Sequence, residues 1–309
     1  MANVPAYHDP ERIGTLFYPD VARIAREAAS AGLPPAEGDG EKVHLLIIDM
    51  QVDFCHEQGA LFAPGAKEDI RRLIEFIYRH AERITDITCS LDSHLPFQIF
   101  HPAWWADAEG AHPEPFTIIT REDVDGGRWR PLFEVAWSRE YVRRLEEQSK
   151  KQLLIWPYHV PLGGVGHALD PELWSAVFWH SVARRTQPRW WTKGSVPRTE
   201  HYSVVQPEIP VPDDPRGGRS VEFLELLYAR DYILLAGEAE SHCVLETVTD
   251  LVKEFEQRPE MLERLYILRD CMSPVPHPEI DFHALAVQAF SEYEKRGVRF
   301  INSTDPLPF

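Results

Sequence analysis

The chain has 309 residues, 44% of them hydrophobic, and sets 32 Lys and Arg against 49 Asp and Glu for a formal net charge of −17. That surplus of carboxylates repels a phosphate backbone, so nucleic acid is excluded as the expected partner; no apolar run nears the roughly 20 residues that span a bilayer, which excludes a membrane anchor. Four widely spaced cysteines, Cys55, Cys89, Cys243 and Cys271, with no signal-peptide pattern before them, predict reduced thiols in a cytoplasmic protein rather than a disulfide framework.

Residues 1–40 contain one amphipathic helix near 19–31 and a Gly- and Pro-rich break at 32–40, and read as an extension packed onto a core domain at 41–309. From Val43 onward, apolar β-type runs at 43–49, 84–91, 152–156, 231–237, 264–269 and 298–301 alternate with helical patterns at 67–83, 220–230, 242–257 and 279–296. Such alternation implies right-handed crossovers and a mostly parallel sheet covered on both faces. The predicted fold is therefore α/β: a three-layer α/β/α sandwich, Rossmann-like, around a mostly parallel six-stranded sheet. A polar insertion at about 102–150, whose charged end at 138–151 is helix-like, and a Pro- and Gly-rich loop at 206–218 interrupt the pattern.

Reacting groups in an open parallel sheet gather where strand carboxyl ends meet loops and helix N-termini. Cys243 lies between an apolar strand, a short turn and a helical pattern; there the macrodipole favours thiolate, although the same context suits a buried structural cysteine. Asp49 ends the apolar run from Leu45 to Ile48, so desolvation should raise its pKa toward that of a general base. Lys193, beside Trp190 and Trp191, needs an anionic partner, for which Asp49 is the candidate. Asp92-Ser93-His94 sets a carboxylate and an imidazole on one side of an extended segment and, with a further imidazole, suits Zn²⁺, Fe²⁺ or Mn²⁺. Gln98, His101, His159 and His167 are the further ligand candidates; His242, adjoining Cys243, reads as structural.

These pieces in this order resemble the isochorismatase-like cysteine hydrolases, and within them the nicotinamidase/pyrazinamidase family. The resemblance is carried by Leu46 to Phe54, Ser90 to His94, Trp156 to His159, Thr192-Lys193-Gly194 and Gly237 to Val244. It implies an amidase acting through a Cys243 thioester with Asp49 as base and Lys193 beside it, and an oxyanion hole from the backbone N–H groups of Ala239 and Cys243. It further implies one divalent transition metal, Zn first and Fe or Mn next, on Asp92, His94 and His159, with Gln98, His101 or water as the fourth ligand. Phe54, Trp156 and Tyr202 are expected to line the substrate pocket, and the Glu238–Ala239 peptide to be cis. The expected reaction is nicotinamide to nicotinate in a homo-oligomer. Hydrolysis of a different or bulkier amide is the alternative within this chemistry, and a catalytically silent small-molecule-binding scaffold the alternative outside it.

Overall fold

A computed structural model describes residues 4–149, 151–277 and 279–309, so residues 1–3 of the extension and residue 150 at the end of the insertion lie outside it. Six strands form the central sheet: β1 (Val43–Ile48), β2 (Ile84–Asp92), β3 (Arg189–Lys193), β4 (Tyr232–Gly237), β5 (Leu265–Leu268) and β6 (Arg299–Ile301). Their order is β6-β5-β4-β1-β2-β3, and every pairing is parallel. The chain thus winds outward from β1 to one edge, returns to the other side of β1, and winds outward again. The reversal lies between β1 and β4, and the crevice beyond their carboxyl ends is where such sheets place ligands.

Both faces of the sheet are covered because β1 is apolar at every position except His44, and successive side chains point to opposite sides. Leu45 and Ile47 join the core beneath α2 (Ala66–Arg79) and α4 (Pro171–Arg184). Leu46 and Ile48 face the core formed with α5 (Val221–Tyr228), α6 (Leu245–Glu254) and α7 (Phe282–Lys295). Outside α4 lies α1 (Val21–Ser30), started by Asp20, whose side chain accepts from the N–H of Arg23. The inserted stretch carries α3 (Val135–Arg144). Among the described residues, no helix is long and apolar enough to cross a membrane.

Two assignments differ from the sequence reading. The run at 152–156 is not in the central sheet; Leu153–Leu154 instead pairs antiparallel with Ile118–Ile119 in a two-stranded patch. The sixth strand is β3, an edge strand whose first residues are polar and aromatic and whose outer side is exposed, so it lacks an apolar run. Helix α4 also went unread. Sandwiched between the sheet and α1, it is apolar around most of its circumference and has no polar stripe to mark a period.

Candidate active site

The ends of β1, β2, β3 and β4 bring four side chains together. Asp49 follows β1 in a left-handed backbone conformation, φ 44°, which Asp tolerates better than most residues. Its N–H donates to Ser90 Oγ at 3.1 Å, and that hydroxyl donates to Asp49 Oδ1 at 2.6 Å, which fixes the carboxylate's direction. Asp92 and Lys193 are register partners at the ends of β2 and β3. Lys193 Nζ lies 2.8 Å from Asp49 Oδ2, 3.0 Å from Asp92 Oδ1, and 3.5 Å from Cys243 Sγ, and it donates to the carbonyl of His201 at 3.0 Å. Asp49, Asp92 and Cys243 each place a ligand atom within 4.8 Å of the others. All four side chains are buried.

Burial of this group sets its protonation. Desolvation raises the pKa of Asp49, as its apolar strand predicts, with the Lys193 ammonium pulling the other way. Desolvation alone would lower the pKa of Lys193, but Asp49 and Asp92 hold it well above its ordinary value. The Cys243 thiol departs from expectation: burial, joined by the nearby carboxylates of Asp49 and Asp92, pushes it well up, against the pull of Lys193. A wide helical turn over Glu240–Val244 separates β4 from α6, and two carboxylates reach the sulfur's surroundings, so local charge and burial outweigh the helix terminus. At Cys243 burial therefore favours the neutral thiol over the thiolate.

The turn carrying Cys243 starts at a cis Glu238–Ala239 peptide. The carbonyl of Ala239 accepts from the N–H groups of His242 and Val244, both at 3.1 Å. Gly237 permits this path: its φ is +143°, and a Cβ there would meet the Ile48 carbonyl oxygen at 2.2 Å.

Asp92, His94 and His159 form a second cluster, with one ligand atom of each within 4.8 Å of the others. His94 Nδ1 bonds the Gly194 carbonyl at 3.2 Å and His159 Nδ1 bonds the Pro157 carbonyl at 2.7 Å. A ring nitrogen on a carbonyl carries a proton, so in the neutral form of each ring Nε2 presents a lone pair toward Asp92 Oδ2, from 2.9 Å and 4.0 Å; at His94 burial favours that neutral form, but the Asp92 carboxylate outweighs it and raises the pKa. Lone pairs converging on a carboxylate call for a cation between them, and outer nitrogens tied to backbone carbonyls are how metal-ligating imidazoles are oriented. Two imidazoles and one carboxylate suit Zn²⁺, Fe²⁺ or Mn²⁺. Gln98 does not face this cluster: its amide nitrogen donates to the Gly194 carbonyl at 2.6 Å and its oxygen accepts from Leu95 N–H at 2.8 Å. His101 is buried with its ring centroid 5.8 Å from that of His94, outside the three-ligand group. His167 bonds Ser93 Oγ instead.

A pocket of about 320 Å³, counting its open mouth, lies beside the two clusters, and Phe54, Trp156, Tyr202, Ala239 and Cys243 all line it together with Asp92 and His159. Trp156 Nε1 donates to Tyr202 OH at 2.9 Å, locking two walls together.

No family model matches the chain, and no curated protein matches it. Solved structures do. A nicotinamidase/pyrazinamidase of Acinetobacter baumanii superposes with a TM-score of 0.57 at 18% identity, covering 87% of this chain and 100% of its own. The yeast nicotinamidase gives 0.57 at 16% identity over 84% of this chain and 99% of its own. A protein from L. infantum, solved in complex with nicotinate, gives 0.52 at 17% identity over 86% and 95%. The chain has the nicotinamidase fold.

Within that nicotinamidase fold, four pocket residues escaped the sequence reading, the apolar Leu61 and Val275 and the polar Glu200 and His242. Glu200 lines the cavity with its carboxyl pushed up to about 7 by burial, partly opposed by His94. His242 lines it too, with Nδ1 paired to Ser241 Oγ at 2.9 Å and its ring 5.2 Å from that of Trp156. Adjacency to Cys243 suggested that its ring points elsewhere; the wide turn brings both side chains to the pocket. Glu200 sits in an irregular segment, where neither period nor strand end marks it.

Proposed function

We propose that the chain is a cysteine amidohydrolase that converts nicotinamide and water to nicotinate and ammonia. The observation that carries this reading is the contact of one buried ammonium, Lys193, with both the Asp49 carboxylate and the Cys243 sulfur. A thiol held protonated by burial needs a base, and Asp49, itself held basic by burial, stands in the same cluster.

Asp49 takes the thiol proton while Lys193 offsets the negative charge passing from carboxylate to sulfur. The thiolate forms a bond to the carboxamide carbon, and the carbonyl electrons move to oxygen, where the N–H groups of Ala239 and Cys243 receive them; donors in this role are worth about 2.7–4 kcal/mol. Asp49 returns the proton to nitrogen, the carbon–nitrogen bond breaks, and ammonia leaves a thioester on Cys243. Asp49 then takes a proton from water, whose oxygen bonds to the thioester carbon; the carbon–sulfur bond breaks to give the carboxylic acid, and the Cys243 thiolate recovers the proton from Asp49. A divalent cation on Asp92, His94 and His159 would supply a fixed positive charge and a Lewis-acid contact for the substrate ring. Phe54 and Trp156 flank the ring's place and keep water from it.

The test is ammonia release from nicotinamide by metal-loaded protein, beside its Cys243→Ala variant. Turnover that falls at least about a thousandfold on removing the sulfur supports the reading, since losing a nucleophile typically costs far more than losing one positioning contact. A variant that keeps most of the rate would overturn the thioester route.

A further inference from the structure

Next to the catalytic pocket is a second cavity of about 990 Å³, counting its open mouth. Glu200, Tyr202 and His242 line both spaces, so the wall between them is one carboxyl and two rings, one of them next in sequence to Cys243. The far side of the chamber is built by Tyr141 and Leu145 of the inserted stretch and by Phe282 and Leu285 of α7. Its lining is largely apolar, and Leu285 at the mouth is 54% exposed. Lys151 is the cation in the lining, and it is bound by Glu208 at 2.7 Å and Glu246 at 2.8 Å. With three carboxyl groups in its lining, the chamber offers nothing to an anion.

Counted with its open mouth in each case, the chamber is the roomier of the two spaces, about 990 Å³ against about 320 Å³. Apolar surface left against water favours an apolar occupant.

We infer that the chamber is a substrate subsite: the preferred substrate is a primary carboxamide whose acyl group carries a neutral apolar arm, the carbonyl at Cys243 and the arm past Tyr202 and His242 into the chamber. The inference rests on the amidase reading above and extends its substrate class to amides larger than nicotinamide.

The experiment measures kcat/KM for ammonia release from nicotinamide, benzamide and 4-alkylbenzamides of growing chain length, with wild-type protein and with Leu285→Trp and Leu285→Asp. The first obstructs the mouth and the second charges it. The expected result is a rise of about threefold per methylene over the first few carbons, and a ratio of hexylbenzamide to benzamide that drops at least about tenfold in both variants. Binding of 4-hexylbenzoate and benzoate to the Cys243→Ala protein, read by calorimetry, gives the same preference without turnover. A series flat in chain length, or a gradient that both variants leave intact, overturns the subsite while nicotinamide turnover keeps the amidase reading. Ammonia from none of the amides, nicotinamide included, removes the amidase reading and this inference with it.

Discussion

Lys193 balances two carboxylates at a position 3% exposed, so its removal strands Asp49 and Asp92 facing each other without a counter-charge. Breaking a buried pair by deleting one partner typically costs about 3–5 kcal/mol. Lys193→Met should lower unfolding free energy in urea by that order, and adding Asp49→Asn should return part of it, because the second change removes one of the stranded charges. Equal stability of Lys193→Met and wild type would contradict the coupling. The neighbouring Gly194 acts through space rather than charge: its φ is +81°, and a Cβ there would lie 2.3 Å from Asp92 Oδ1 and 3.0 Å from His94 Cε1. Gly194→Ala is therefore expected to lower the metal content found by elemental analysis below that of wild type while the far-ultraviolet dichroism is unchanged. Full metal loading of the variant would mean that the ligand cluster does not need this close approach.

His180 ties a helix to the sheet, its Nε2 donating to the carbonyl of Ile84 at 3.0 Å, where α4 meets the start of β2. Burial lowers its pKa from 6.5 to about 4. Between those values the unfolded chain binds a proton that the folded chain refuses, so stability rises with pH across the window and falls as pH drops through it. The full effect is on the order of 3 kcal/mol, from about 1.4 kcal/mol per unit. Urea titrations of His180→Gln and wild type between pH 7 and pH 4 should show the variant losing less, and parallel losses would rule this group out. At this same scale the sequence was readable where one physical signal dominated. Buried strands such as Val43–Ile48 announced themselves as apolar runs, and helices with one wet face, such as α2, by their period. Strand β3 did not, because an edge needs no apolar run, and α4 did not, because a helix covered on two sides has no wet face.

At the scale of the whole molecule, the winding of the sheet explains why short motifs far apart in the chain converge. Asp49, Asp92, Lys193 and Cys243 belong to the ends of four different strands, yet parallel order around the β1/β4 reversal places all four ends on one rim. Position on a strand end is a sequence property, and the rim follows from it. Glu200, and Tyr141 and Leu145 of the chamber wall, were not readable that way, because they come from irregular chain and the inserted stretch, whose placement depends on long-range packing. We propose residues 1–40 as an extension and 41–309 as the catalytic domain; α1 packs on α4, and Arg184 of α4 donates to the Pro34 carbonyl at 2.6 Å.

The lysine that completes the charge balance sits on β3, one of the sheet's two edge strands, held by a single ladder to β2. Peripheral strands fray at lower free energy than central ones, so, on the amidase reading proposed above, loss of activity should run ahead of loss of structure. Titrated with urea, ammonia release should have its midpoint below that of the dichroism signal, and the backbone amides of 190–193 should exchange with deuterium sooner than those of β1. Superimposable midpoints would show the periphery and the centre to be one cooperative unit.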